Sequence, residues 1–250
     1  MKYTLTDRLM WHFMQGTCYK VLRAEHSEWD FHQLRKAAKE RFRNILTSTP
    51  SIGSYRENSL KKNLVGGMVW FAIYETAKER YGSQMSLALY EKMCHASIAM
   101  PMMLRMARMT KPFTRKFQES MMKRSERENR IDSPYNWQAH YKQGKVDEEF
   151  TLSYTRCGLC ELARKRGHLD ILPAMCKTDY ITFEAMEAIL HRNKTLASGD
   201  DCCLYYMTKP GSEAEQRWQV EHPDGTFISK SAEPGNIEID IRFLGPCLKQ

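Results

Sequence analysis

Near Asp132-Ser133-Pro134-Tyr135 the hydrophobic pattern of this 250-residue chain changes period. Before that point apolar residues recur at helical spacing. After it the segments shorten, turn residues become frequent and apolar residues alternate. A sequence with a period of 3.6 in one half and 2 in the other has to join helices to a sheet. The expected class is therefore α+β, a helical N-terminal half packed on an antiparallel sheet, with a cysteine-bearing helix beside it. The expected organisation is a helical region over 1–132 and an α+β region over 133–250, integrated as one domain. A chain this long can bury a sizeable core without staples.

The helical half is read from its periodicity. From Trp29 to Leu46 the residues Phe31, Leu34, Ala37, Ala38, Phe42 and Ile45 follow an i, i+3, i+4 pattern. Asn63 to Tyr81 is more apolar and predicts a buried helix that stops at Gly82. Ser86 to Arg108 predicts a helical region interrupted near Pro101, and Pro112 to Asn129 a strongly charged one. Met93, Met100, Met102, Met103, Met106 and Met109 fall in this stretch beside basic residues. A membrane-surface or partner-binding helix would use such a set, but gap-filling in a helical core is the expectation.

In the second half Phe150, Leu152 and Tyr154 share one face of a strand, and Cys202 to Thr208 predicts another. Trp218–Glu221 with His222, followed by Pro223-Asp224-Gly225 and Thr226-Phe227-Ile228, predicts a hairpin with Asp-Gly at its turn. Asn236 to Phe243 alternates most clearly of all.

Charge narrows the partners. The formal net charge is +8 and the pI about 9.0. The basic residues gather between Arg105 and Arg130 with few aromatics for base stacking. A solvated helical face or attraction for a small anionic substrate accounts for them, and nucleic acid is disfavoured as a partner. The longest apolar runs fall short of the roughly 20 residues that span a bilayer. The start Met1-Lys2-Tyr3-Thr4-Leu5 carries no apolar leader, and eight cysteines without one fit a soluble protein of the reducing cytoplasm.

Chemistry concentrates between Cys157 and Cys203. Cys157 and Cys160 follow a strand and open a short helix ended by Gly167, where unpaired backbone N–H groups favour a thiolate. Cys176 and Asp179 stand one turn apart on the next helix, which Pro173 begins. At 100° per residue Cys176, Asp179, Tyr180, Phe183, Glu187 and Leu190 share an inward face. An inward aspartate needs a partner, a metal or a proton. Arg192 is suited to hold a substrate carboxylate. Cys202 and Cys203 point to opposite faces, so at most one joins a site. Three readings stay open: a thiolate nucleophile assisted by Asp179, a zinc site, or small apolar cysteines in a core. Cys18, Cys94 and Cys247 are read as inert core thiols. His12, His95, His168 and His191 are weak candidates for ligands or proton shuttles.

The run Cys157-x-x-Cys160, Leu172-Pro173, Cys176-x-x-Asp179, Arg192-x-x-Thr195-Leu196-Ala197-x-Gly199-x-x-Cys202 resembles the bacterial family named for L-2-amino-thiazoline-4-carboxylic acid hydrolase. Its ending, Gly199-x-x-Cys202, also looks like the close of the vinyl-reductase-like (4VR) ligand-binding fold, a mixed α+β domain in which cysteines and an acid can hold zinc. The family resemblance implies hydrolytic opening of a small cyclic substrate at a carbon between nitrogen and sulfur, giving a product of the S-carbamoyl cysteine type. It implies catalytic roles for Cys176, Asp179, Cys157 and Cys160, with Cys176 attacking and Asp179 relaying a proton. Arg192 and Thr195 would hold the substrate. A second mechanism under the same resemblance has Cys157, Cys160 and Cys176, with Asp179 or Cys202, bind a zinc that activates water, and the non-catalytic alternative is a small-molecule sensor in which Cys157, Cys160, Cys176 and Cys202 hold a structural zinc. Cys203 departs from the pattern, since an acidic residue commonly stands there.

Overall fold

The computed structural model describes residues 1–221. The strand expected over Asn236–Phe243, the Thr226–Ile228 arm of the hairpin, and Cys247 lie outside the described residues.

The helical half runs α1 (Leu5–Glu25), α2 (Phe31–Ser48), α3 (Lys61–Tyr81), α4 (Leu87–Ile98), α5 (Pro101–Arg108) and α6 (Arg115–Asn129). Local signals place its ends. Thr4 and Asp7 cap α1 reciprocally, Asp30 caps α2 and Ser86 caps α4. Gly82 ends α3 with φ 57°, a conformation that costs a glycine little. Pro101 sits in the first turn of α5, where its missing N–H breaks no helical bond, so the expected interruption is a boundary between two helices. α3 is buried almost all round, from Leu64 through Ala77, because α1 and α2 cover it on one side and α7 meets it on another.

The second half alternates β1 (Gln138–Gln143), β2 (Glu149–Arg156), α7 (Gly158–Arg166), α8 (Leu172–Cys176), α9 (Thr178–Ala185), β3 (Ile189–His191), β4 (Cys203–Thr208) and α10 (Glu213–Glu221). The strands form an antiparallel sheet in the order β1-β2-β4-β3. With the helices beside it, this is an α+β fold. No described helix is long and apolar enough to cross a membrane.

Register decides which side chains meet. Tyr154 stands opposite Cys203, Leu152 opposite Tyr205 and Phe150 opposite Met207. Since side chains alternate along a strand, these six share one sheet face, and Leu190 of β3 joins them opposite Met207. That face carries its own apolar cluster, covered by Phe113, Met121, Tyr180 and Phe183. A larger cluster fills the helical half and extends to Trp137, Leu162, Leu172 and Met175. Tyr154 and Leu196 pack against both clusters and mark the seam between them.

Three expectations need correction. Residues 218–221 are not a strand but the last turns of α10, which Ser212 starts by accepting from the Glu215 N–H. Glu187 and Leu190 do not extend the Cys176 helix face, because α9 ends at Ala185 and Glu187 turns to φ 57° in solvent. The methionines are not all core. Met93 is fully buried, whereas Met102, Met106 and Met109 are 52%, 59% and 74% exposed.

Candidate functional site

The seam between the two cores gathers the cysteine-segment residues. Cys157 leaves β2 and is the N-cap of α7, whose C-terminus turns at Gly167 in the left-handed region. The main chain is tight here: a Cβ on Gly158 would lie 1.9 Å from the Tyr135 carbonyl oxygen. Cys176 ends α8 and Asp179 lies in the first turn of α9, across an interruption at Lys177. The Tyr180 N–H bonds the Lys177 carbonyl, so the Cys176 carbonyl is free to accept from Arg192 Nη2 at 3.0 Å.

Arg192 is the hinge of this arrangement. It follows β3, is buried, and donates through Nη1 to Asp179 Oδ2 at 2.9 Å. The Tyr205 hydroxyl donates to the same oxygen at 2.8 Å. The guanidinium also lies over the rings of Tyr180 and Tyr205, 4.8 and 5.4 Å from their centroids. Tyr205 is held edge-on by Tyr154 and Phe183. Both donors fall on Oδ2, and Oδ1 accepts no hydrogen bond among the described residues. Asp179 is densely surrounded, yet 34% of its side-chain surface remains accessible, so it lines open space.

Electrostatics follow from this packing. Burial holds the Asp179 carboxyl above its ordinary range, against the pull of the Arg192 charge and of the hydrogen bonds from Tyr205 and Arg192. Burial also works against the Arg192 charge, but Tyr205, Asp179, Tyr180 and Cys176 outweigh it and the guanidinium stays protonated. Burial pushes the Cys176 thiol well up, opposed by Arg192 and reinforced by Asp179, Cys157 and Cys203. The Cys157 thiol is raised first by its hydrogen bond to Cys160 and then by burial. The backbone N–H groups of Cys160 and Leu159 pull the other way, as a helix N-terminus should, without prevailing. At Cys157 and Cys176 these effects outweigh the preference for thiolate expected from helix position alone.

Of the paired cysteines at the start of β4, Cys203 faces the site. Its sulfur accepts from the Leu196 N–H at 3.2 Å and burial pushes it up to about 12. Cys202 instead belongs with Asp201 and Lys194 at the surface. Among the described residues no three of His, Cys, Asp and Glu come together as they would to hold a metal ion. The expected set Cys157, Cys160, Cys176 and Cys202 is therefore not gathered into a shell. The Asp179 oxygen nearest the seam's cation is already committed to Arg192 and Tyr205. These residues do not fit a zinc site.

Arg192 and Thr195 are engaged within the protein. Arg192 serves Asp179 and the Cys176 carbonyl, while Thr195 caps the turn Leu196–Ser198 and its N–H bonds Asp200. Cys18 and Cys94 lie in the helical core, as expected of inert thiols. His168 stands beside the buried Glu75, which Arg41 and Arg166 also pair, and His191 bonds Thr208 on the outer sheet face. Tyr154 and Tyr205 are not singled out from sequence as site residues, and Cys203 enters there only as one of a pair of which at most one joins the site. The alternation of Cys203, Tyr205 and Met207 along β4 is the signal that carries them.

No curated protein and no solved structure matches this chain. A family model described as L-2-amino-thiazoline-4-carboxylic acid hydrolase matches residues 62–206, a span that holds Cys157, Cys176, Asp179, Arg192 and Tyr205. More than half of the chain is covered and the matched span includes the whole seam, so the protein belongs to the L-2-amino-thiazoline-4-carboxylic acid hydrolase family.

Proposed function

We propose that the protein hydrolyses a small cyclic substrate of the 2-amino-thiazoline-4-carboxylate type, opening the ring at the carbon between nitrogen and sulfur. The observation that carries this reading is the Asp179 carboxylate, held by two donors on Oδ2 and unengaged at Oδ1, one turn from the Cys176 thiol. Its raised pKa makes it a stronger base than an exposed aspartate while Arg192 keeps it able to ionise. Asp179 takes the thiol proton as the Cys176 sulfur bonds to the electrophilic carbon. The proton passes to the ring heteroatom as its bond to that carbon breaks. Water, losing a proton to Asp179, then displaces the sulfur, and Cys176 recovers a proton. Tyr154, Tyr180 and Tyr205 supply flat walls for a planar ring.

The setting supports the same reading. The described cysteines are all free thiols, as a reducing cytoplasm would keep them. The helical core continues into residues of α7 and α8, which favours a single integrated domain.

The test is turnover of L-2-amino-thiazoline-4-carboxylate by the purified protein, followed by mass spectrometry of the ring-opened product. Asp179→Asn and Cys176→Ala should each lower kcat by about 100-fold or more, the scale of acid–base and nucleophilic contributions. No turnover by the wild-type protein refutes the substrate class. Full turnover by Cys176→Ala removes the thiol from the reaction and leaves Asp179 acting directly on water.

A further inference from the structure

The proposed hydrolysis leaves α5 and α6 without a role. α5 seats Leu104, with Ala107 against it, on Ile181 and Ala185 of α9. Round the helix from Leu104, at about 100° per residue, Met102, Met106 and Met109 form a ridge on the opposite side. All three are more than half exposed. Unbranched thioether side chains standing in water are an unfavourable arrangement for a face with nothing to contact. Arg105 flanks the ridge, and the segment from Arg105 to Arg130 holds nine Lys and Arg residues against three acids. On α6 four of these cations, Lys116, Lys123, Arg124 and Arg127, line a shallow groove of about 340 Å³ with Ser120 and Glu119.

We propose that the α5 methionine ridge and the α6 cationic groove dock the protein reversibly on an anionic phospholipid surface. The charge complementarity favours that occupant: a groove with four cations on one helix and an exposed apolar ridge on the helix before it, joined by residues 109–114, match acidic headgroups and acyl chains. Nucleic acid would use the cations but not the methionines, and the ridge carries no aromatic ring for base stacking. Docking is peripheral, since no described helix can cross a bilayer. The ridge inserts to the depth of its side chains while the cations hold the headgroup phosphates.

The experiment is co-sedimentation of the full chain with vesicles of phosphatidylcholine mixed with phosphatidylserine, and with phosphatidylcholine alone. The mixed vesicles should bind the protein and release it as salt is raised. The combined substitution Met102→Ser, Met106→Ser and Met109→Ser should weaken binding by about tenfold or more, and Lys123→Glu with Arg127→Glu by a similar factor. All five positions lie at the surface or on the groove, so thermal melting should show both variants folded. Equal binding to the two vesicle types overturns the proposal, as does undiminished binding by the methionine variant. Self-association without lipid that the methionine substitutions abolish also overturns it, making the ridge a contact between copies of the chain.

Discussion

Arg192 Nη1 lies 2.9 Å from Asp179 Oδ2, joining the exit of β3 to the first turn of α9 across thirteen residues of chain. The guanidinium side chain is 5% exposed and the carboxylate 34%, so the pair sits between a dry interior and solvent. It holds a carboxylate ready to titrate without letting solvent dominate it.

Replacing the cation tests that arrangement. In Arg192→Met burial acts on Asp179 against the Tyr205 hydrogen bond alone and raises its pKa further. The acid limb of kcat/KM for ring opening should move to higher pH, and activity at neutral pH should fall by about 100-fold. Unfolding free energy should drop by about 1–3 kcal/mol, less than for a fully enclosed pair because part of Asp179 reaches solvent.

Stability should carry the sign of the same shift. The folded pKa of Asp179 lies above the ordinary 3.8, so the folded state binds the proton more tightly than the unfolded one. The stability this group contributes is present below that value and is lost as pH rises through the folded pKa. Urea unfolding between about pH 4 and 7 should show the wild-type protein losing ground to Asp179→Asn as pH increases. A difference that grows in the opposite direction would place the carboxylate below its ordinary range.

Thiol reactivity should sort by burial rather than by helix position. Iodoacetamide at pH 8, read by peptide mass spectrometry, should modify Cys202 first among the described cysteines. Cys157, Cys176 and Cys203 should lag, because all three thiols are held protonated. Cys160→Ala removes the largest cause raising Cys157 and should accelerate its modification.

Two glycines make a paired test of close approach. Gly158→Ala would drive a Cβ to 1.9 Å from the Tyr135 carbonyl and should cost about 3 kcal/mol or more, with loss of the site at the head of α7. Gly16→Ala lies in the exposed interior of α1 with nothing within 4 Å and should stabilise by about 0.5–1 kcal/mol. Denaturant midpoints compare them directly.

Where several positions repeat a period, the sequence was readable. The helices at Phe31–Ser48 and Lys61–Tyr81 fall within two residues of the limits that periodicity and Gly82 indicate. β1 carries Gln138-Ala139-His140-Tyr141-Lys142-Gln143, an edge strand among the described residues with too little apolar alternation to announce itself. Trp218 and Val220 fit a strand and a helix equally. The Ser212-x-x-Glu215 start signal, in which Ser212 accepts from Glu215 and the Glu215 carboxylate accepts from the Gly211 N–H, resolves the ambiguity toward helix. Glu187 ended a helix by adopting a positive φ without a glycine to mark it.

At the site, Cys176 and Asp179 were legible because their spacing is local. Tyr205 was not, since it reaches Asp179 only through the register of β4 against β2, which no short window of sequence contains. The choice of Cys203 over Cys202 depends on the same register. Arg192 was visible as a candidate, but its partner was a protein carboxylate rather than a ligand's.

The interruption at Lys177 has a consequence for how the site is assembled. It leaves the Cys176 carbonyl outside the helical ladder and offers it to a guanidinium that arrives from β3. A nascent chain that has made α8 and α9 but not yet docked the strands holds its thiol and carboxylate with neither Arg192 nor Tyr205 in place. Under the proposed mechanism the carboxylate therefore becomes poised only with the closing of the seam, when Arg192 and Tyr205 both reach its Oδ2.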